Sequence, residues 1–226
     1  MRVDEILNSE LVASKIDSSR VVDLIVSNHG LVDIVFHELS NKSPRVRFGC
    51  SKSLVSLSEK NPAALLKKTN AIIGLLGSDN RILKWNAIAM IGNLVAADSH
   101  EPRDAELHRL YRFLLSGELI TANHSIAALA KIARAFPKKR RQIIKQLLAI
   151  EQAEFVTGEC RDIAIGKVIL AVGEIFGQDK ILSPDAAEFA MRQVSNRRKA
   201  TAKKAESLLR QYVQQPRRLK GSRERA

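Results

Sequence analysis

One short pattern of residues recurs five times along this chain, about every forty positions. The stretches Pro44–Leu57, Arg81–Leu94, Ile120–Ile132, Ile163–Ile175 and Ala200–Tyr212 align without internal gaps. Their register starts at Val46, Leu83, Thr121, Ala164 and Thr201. Four residues on stand Cys50, Ala87, Ser125, Val168 and Ala205. Eight on stand Leu54, Ile91, Leu129, Val172 and Leu209, and eleven on stand Leu57, Leu94, Ile132, Ile175 and Tyr212. Offsets of 0, 4, 8 and 11 return to one face of an α-helix, so the spacing predicts five helices that bury the same stripe. Successive starts lie 37, 38, 43 and 37 residues apart. A recurring unit of that length stacks on its neighbours to bury a continuous core. The chain is therefore expected to be all-α, an α-α superhelix of about five stacked helical hairpins with a long surface open to a partner.

The composition suits close helix stacking. Of the 226 residues 45% are apolar but only 4% are aromatic, so Ala, Leu, Ile and Val supply the core and let backbones approach. Two cysteines, Cys50 and Cys160, give neither a disulfide framework nor a paired-cysteine metal motif. Cys50 stands in the small-residue column and is expected to be a buried thiol. The acidic start MRVDEILNSELV lacks the apolar run of a signal peptide, and no stretch approaches the roughly 20 apolar residues of a membrane span. A soluble, cytoplasmic chain with no membrane contact is the expectation.

Charge is unevenly spread. The formal net charge is +13, yet residues 1–113 hold 15 Lys/Arg against 13 Asp/Glu, whereas residues 196–226 hold 11 against 2. The excess resides in Arg197, Arg198, Lys199, Lys203, Lys204 and Arg210 and in the tail beyond them. A second cluster, Lys138, Lys139, Arg140 and Arg141 with Lys145, opens a helix one repeat earlier. Such runs attract polyanions by counterion release with little sequence preference. The same charges would also keep a terminal repeat and its tail solvated, and both readings stay open.

Proline and short polar turns divide the chain into hairpins. Residues 1–28 read as an N-terminal helical cap, with Ser18 or Ser19 capping a helix from Val21. The first pair is His29–Leu39 and Pro44 onward. Then come Pro62–Leu76 with Asn80–Ala97, Pro102–Leu115 with Glu118–Phe136, Pro137–Ile150 with Gly158–Phe176, and Pro184–Val194 with Asn196–Val213. Proline opens the first helix in four of these pairs, where its missing N–H is harmless. Ser78 or Asp79 is expected to cap the helix after them. Residues 29–213 thus read as the repeat domain, and 214–226 as a basic, disordered tail.

Pro44-Arg45-Val46-Arg47, followed by Cys50, Ser53-Leu54 and Leu57, resembles the second helix of a HEAT repeat. So does Asn80–Leu94, where Lys84 holds a position that is often Arg in that family and Asp79 resembles its turn aspartate. The chain is similar to this armadillo-like α-solenoid family over residues 29–213. Thr121-Ala122, Ala164-Ile165 and Thr201-Ala202 lack the basic residue of the family's ladder. The resemblance implies the fold and hardly constrains the activity.

Catalytic signatures are sparse. His29, Asp33 and His37 fall at i, i+4 and i+8, but such a stripe spans about 12 Å at 1.5 Å per residue, too long for one ion. These read as surface residues, and Asp104 and His108, also at i, i+4, read as an ordinary helical side-chain pair. Ser51, Ser53, Ser56 and Ser58 read as an exposed polar stripe. No phosphate loop, nucleophile elbow or His-Glu-x-x-His is present. No cofactor or metal is implied. The chain is expected to be a non-enzymatic scaffold that binds a macromolecular partner, foremost a protein, along the concave surface of its second helices. The side chains expected to carry binding are Arg47, Lys84, Trp85, Lys131, Arg134, Lys138, Lys139, Arg140, Arg141, Arg197, Arg198, Lys203 and Lys204. The alternative is contact with nucleic-acid backbone through the same basic groups. A third reading is a base-excising enzyme similar to the alkylpurine DNA glycosylases, which share the repeat, with Trp85 against the nucleotide.

Overall fold

A computed structural model describes residues 9–11, 16–98, 100–179 and 183–213. The tail expected at 214–226 lies outside them, as does most of the segment before Ile16. The described residues are helical with no strand. They fall into two compact units, residues 1–110 with 127–135 and residues 111–126 with 136–226.

In the first unit, α1 (Ser18–Ser27) is followed by α2 (Leu31–His37) and the long α3 (Pro44–Lys60). A 3-10 segment, Pro62–Lys68, runs into α4 (Thr69–Leu75), and α5 (Arg81–Ala97) completes the second hairpin. Helices α6 (Asp104–Leu114) and α7 (Leu119–Ala135) are divided between the units. The second unit continues with α8 (Arg140–Leu148), flanked by 3-10 turns at Pro137–Lys139 and Ala149–Gln152. It closes with α9 (Gly158–Asp179), α10 (Pro184–Gln193) and α11 (Lys199–Val213).

Within each unit like packs on like. Helix α1 lies on α3 and α3 on α5, while α9 lies on α11 and α8 on α10. Within each unit the second helices therefore form one layer, and in the second unit the first helices α8 and α10 form another. The recurring register explains this. Of its twenty positions, eighteen are buried; Leu209 is half-buried, and the Tyr212 side chain is not described. Each fully buried Leu or Ile contributes roughly 1.5–3 kcal/mol relative to an exposed one.

Helix starts follow the local chemistry, with some corrections to the sequence reading. Asp17, not Ser18 or Ser19, caps α1 by accepting from the Ser19 and Arg20 amides at 2.9 and 3.4 Å. Asn80 itself, not Ser78 or Asp79, caps α5 by accepting from Ile82 and Leu83 at 3.1 and 3.3 Å. Proline opens α3, α10 and two of the 3-10 segments, but α6 begins at Asp104, two residues past Pro102. The first helices are also less regular than their periodicity suggested. At Thr69 the hydroxyl donates to the Leu66 carbonyl at 2.8 Å, where the 3-10 segment gives way to α4. A side chain competing for a backbone acceptor favours such a break.

Cys50 is fully buried as expected, and burial, with a smaller effect of Glu38, pushes its thiol up to about 12. Cys160 is half-buried. One thiol per chain is therefore expected to react rapidly with a disulfide reagent near neutral pH, and the second only when the chain unfolds. The raised value favours the folded state below the ordinary thiol value of 9.0, and that contribution fades as pH climbs toward 12. Alkaline destabilisation that disappears in Cys50→Ala checks the second half of this expectation.

Candidate partner-binding face

The first four second helices bury offsets 0, 4, 8 and 11, and the last buries offsets 0 and 4, which leaves other columns facing away from the core. Six residues past each start stand Lys52, Ala89, Ala127, Leu170 and Ser207. Four of these are exposed and Ala89 is half-buried. This column is the outer surface of the second-helix layer in each unit.

In the first unit a polar ladder runs beneath that surface. The Asn86 amide donates to Ser51 Oγ at 2.7 Å, and the Asn93 amide donates to Ser58 Oγ at 2.8 Å. Both steps join α3 to α5. The Lys131 ammonium of α7 then donates to Asn93 Oδ1 at 2.6 Å and to Glu59 at 3.0 Å, linking three second helices. Ser51, Ser53 and Ser58 are buried, contrary to the exposed stripe read from the sequence. Ser53 donates to the Gly49 carbonyl at 2.9 Å, and Ser58 also donates to that of Val55. Serine is small enough to sit between helices when its hydroxyl finds a partner, so polarity alone misplaced it.

The side chains singled out from the sequence fall into three settings. Arg47 is half-buried, reaches back 2.9 Å to the Asn41 carbonyl in its own turn, and stacks on Phe48 with 4.9 Å to the ring centroid. Lys84 and Trp85 are half-buried on α5, Lys131 is held in the ladder, and Arg134 is exposed. Lys138 and Arg141 are exposed and Lys139 and Arg140 half-buried, all on the first-helix layer of the second unit. Arg197, Arg198, Lys203 and Lys204 belong to the second-helix layer of that unit. The two basic clusters are thus not brought together.

Among the last four, Arg197 is engaged. Its Nε donates at 2.5 Å to the buried Asp162 carboxylate, which also accepts from Asn196 at 3.3 Å. The buried Thr201 hydroxyl donates to the Asp162 carbonyl at 2.8 Å. These bonds tie the start of α11 to α9. Lys167, Arg198, Lys203 and Lys204 have no carboxylate partner among the described residues. Lys204 lies over α9, its ammonium 3.4 Å from where a Cβ on Gly166 would stand. Its pKa is lowered by burial, then by Lys167 and Arg198. Lys167 was not singled out from the sequence. The signal was available, since it stands three residues past its start, the same offset as Lys204.

His29, Asp33 and His37 are all exposed, with Asp33 paired to Lys68 and His37 beside Glu38. Among the described residues no group of three or more His, Cys, Asp or Glu side chains is placed to hold a metal ion, and no helix is long and apolar enough to cross a membrane.

Neither a family model nor a curated protein sequence matches the chain. Among solved structures it is similar to an engineered protein at 15% identity and a TM-score of 0.50, over 94% of this chain and 97% of that one. A designed armadillo repeat protein is 15% identical with a TM-score of 0.49, over 84% and 85% of the two chains. A further engineered protein is 15% identical with a TM-score of 0.48, over 85% of this chain and 50% of that one. The first likeness bears on fold alone and agrees with the packing described above: this is an all-α protein of stacked helical hairpins.

Proposed function

We propose that the chain is a non-enzymatic helical-repeat scaffold that binds a macromolecular partner along the outer surface of its second helices. The observation that carries this reading is the column of Lys52, Ala89, Ala127, Leu170 and Ser207. It recurs in all five hairpins, is exposed in four of them, and is not needed by the core. Adjacent second helices turn such a column into a continuous strip within each unit, a surface suited to an extended partner. In the first unit Lys131 pairs with Glu59 while Lys52 has no carboxylate partner among the described residues; in the second, Lys167, Arg198, Lys203 and Lys204 have none there either.

A photo-crosslinking residue placed at Ala127, Leu170 or Ser207, in living cells, tests the reading. The first-helix positions Ala71, Gln142 and Glu188, also exposed, serve as controls. Discrete macromolecular adducts are expected from the first set and not from the second. Adducts of equal yield from both sets, or from neither, would count against a dedicated second-helix face.

A further inference from the structure

We propose that Lys167, Arg198, Lys203 and Lys204 form a docking site for the phosphate backbone of duplex nucleic acid on the second-helix layer of the second unit. This rests on the reading of that layer as the binding face, and names its partner in one unit.

The arrangement places Lys167 and Arg198 beside Lys204, with Lys203 exposed next to it in the chain, and none of the four is paired with a carboxylate among the described residues. Lys167 comes from α9, Arg198 immediately precedes α11, and Lys203 and Lys204 follow in its second turn. The first turn of α11 carries no acidic residue, so the positive end of the helix dipole adds to the four side chains. Gly166 lets α11 approach α9, since a Cβ there would meet Thr201 Oγ1 at 2.7 Å. That approach draws the Lys204 ammonium out of solvent and toward Lys167. A protein gains nothing in stability from such a placement. The half-buried ammonium is harder to keep charged, the direction of its pKa shift. The Asp162 carboxylate, at the start of α9, is already held by Arg197 and Asn196. An external anion supplies what the fold omits.

The chemistry around the cluster selects among anions. Lysine is depleted in the cores of protein–protein interfaces, which favour aromatic and arginine anchors. Of the five residues in the outer column only Leu170, 44% exposed, is a large apolar group. Lysine ammonium groups act as point charges that meet a phosphate from many directions, which suits backbone contact without base readout. Single strands are held largely by aromatic stacking, and only 4% of the chain is aromatic, none of it among these four residues. Trp85 and Tyr111 are not part of this cluster. A duplex, bound by charge alone, is the ligand that fits.

The test is fluorescence anisotropy of a short labelled DNA duplex titrated with the full-length chain at low and moderate salt. Lys167→Met/Lys204→Met is compared with Lys138→Met/Arg141→Met, which removes the same charge from the first-helix layer. The first variant should lose about tenfold or more in affinity at low salt, and its log–log salt slope should fall by about two, near 0.9 per lost phosphate contact. The control should stay within about threefold of wild type. Lys204→Met alone should melt no lower than wild type at neutral pH, since it removes a desolvated charge, so loss of binding is not loss of fold. Equal losses in both double variants, or no loss in the first, overturn the proposal. A polyglutamate peptide is titrated in parallel. If it binds and the duplex does not, the nucleic-acid inference fails while the second-helix binding face stands. If neither binds, the inference fails, and the crosslinking comparison decides the broader reading by itself.

Discussion

Gly92→Ala is expected to lower the stability of the first unit by about 1–3 kcal/mol, and Gly92→Val by more. A Cβ at Gly92 would stand 2.6 Å from the Ala128 Cβ and 2.7 Å from its Cα. The obstacle is therefore largely backbone, which cannot swing aside as a long side chain would. Alanine gains about 1 kcal/mol over glycine in helix propensity, and the steric penalty must exceed that gain for the sign to hold. Gly74 in α4 supplies the contrast, because a Cβ there meets nothing within 4 Å. Gly74→Ala should leave stability unchanged or raise it by about 0.5–1 kcal/mol. Urea unfolding of the three proteins reads both effects as midpoint shifts. A Gly92→Ala protein as stable as wild type would show that α5 and α7 do not require this approach.

The second large effect follows the register along the chain. Leu54 and Leu129 share the offset of eight and are both fully buried. Truncating either to alanine should cost about 2–5 kcal/mol, the transfer of the side chain plus the cavity left behind. Leu209 holds the same offset on α11 but is half-buried, having no further hairpin described beyond it. Leu209→Ala should cost less than half as much. If all three cost alike, side-chain burial by the next repeat is not what stabilises these helices. Thermal unfolding followed by circular dichroism at 222 nm is sufficient to rank them.

The five second helices were legible because their pattern is a packing pattern. Positions such as Val46, Leu83 and Ala164 are apolar at a helical spacing, and burial is what that spacing encodes. Thr121, Ser125 and Thr201 kept the register despite being polar, because they stood in columns defined by the other repeats; all three are buried. The first helices were less legible. The break at Thr69 coincides with a single side-chain bond to the Leu66 carbonyl, which leaves no periodic trace.

The candidate site was legible in part. Arg198, Lys203 and Lys204 stood out as charge, but linear charge density could not separate them from Arg197, which is pinned to Asp162. Nor could it show that Lys138 and Arg141 occupy the other layer. The Ser58–Asn93 pair was invisible to a scan for hydrophobic repeats, although Ser51–Asn86 and Ser58–Asn93 share a separation of 35 residues. Polar pairs at a repeat-length separation are a usable signal for such ladders.

The outer column of the second helices has a consequence for how a chain of this kind can change over generations. Lysine, alanine, leucine and serine all occupy it, in helices whose buried registers are near-equivalent. Surface substitutions away from caps and cores typically alter stability by no more than about 0.5 kcal/mol. Mutation can therefore rewrite the chemistry of this strip, one hairpin at a time, while selection on folding sees almost nothing. Surface character and foldability are inherited on different residues of the same helix.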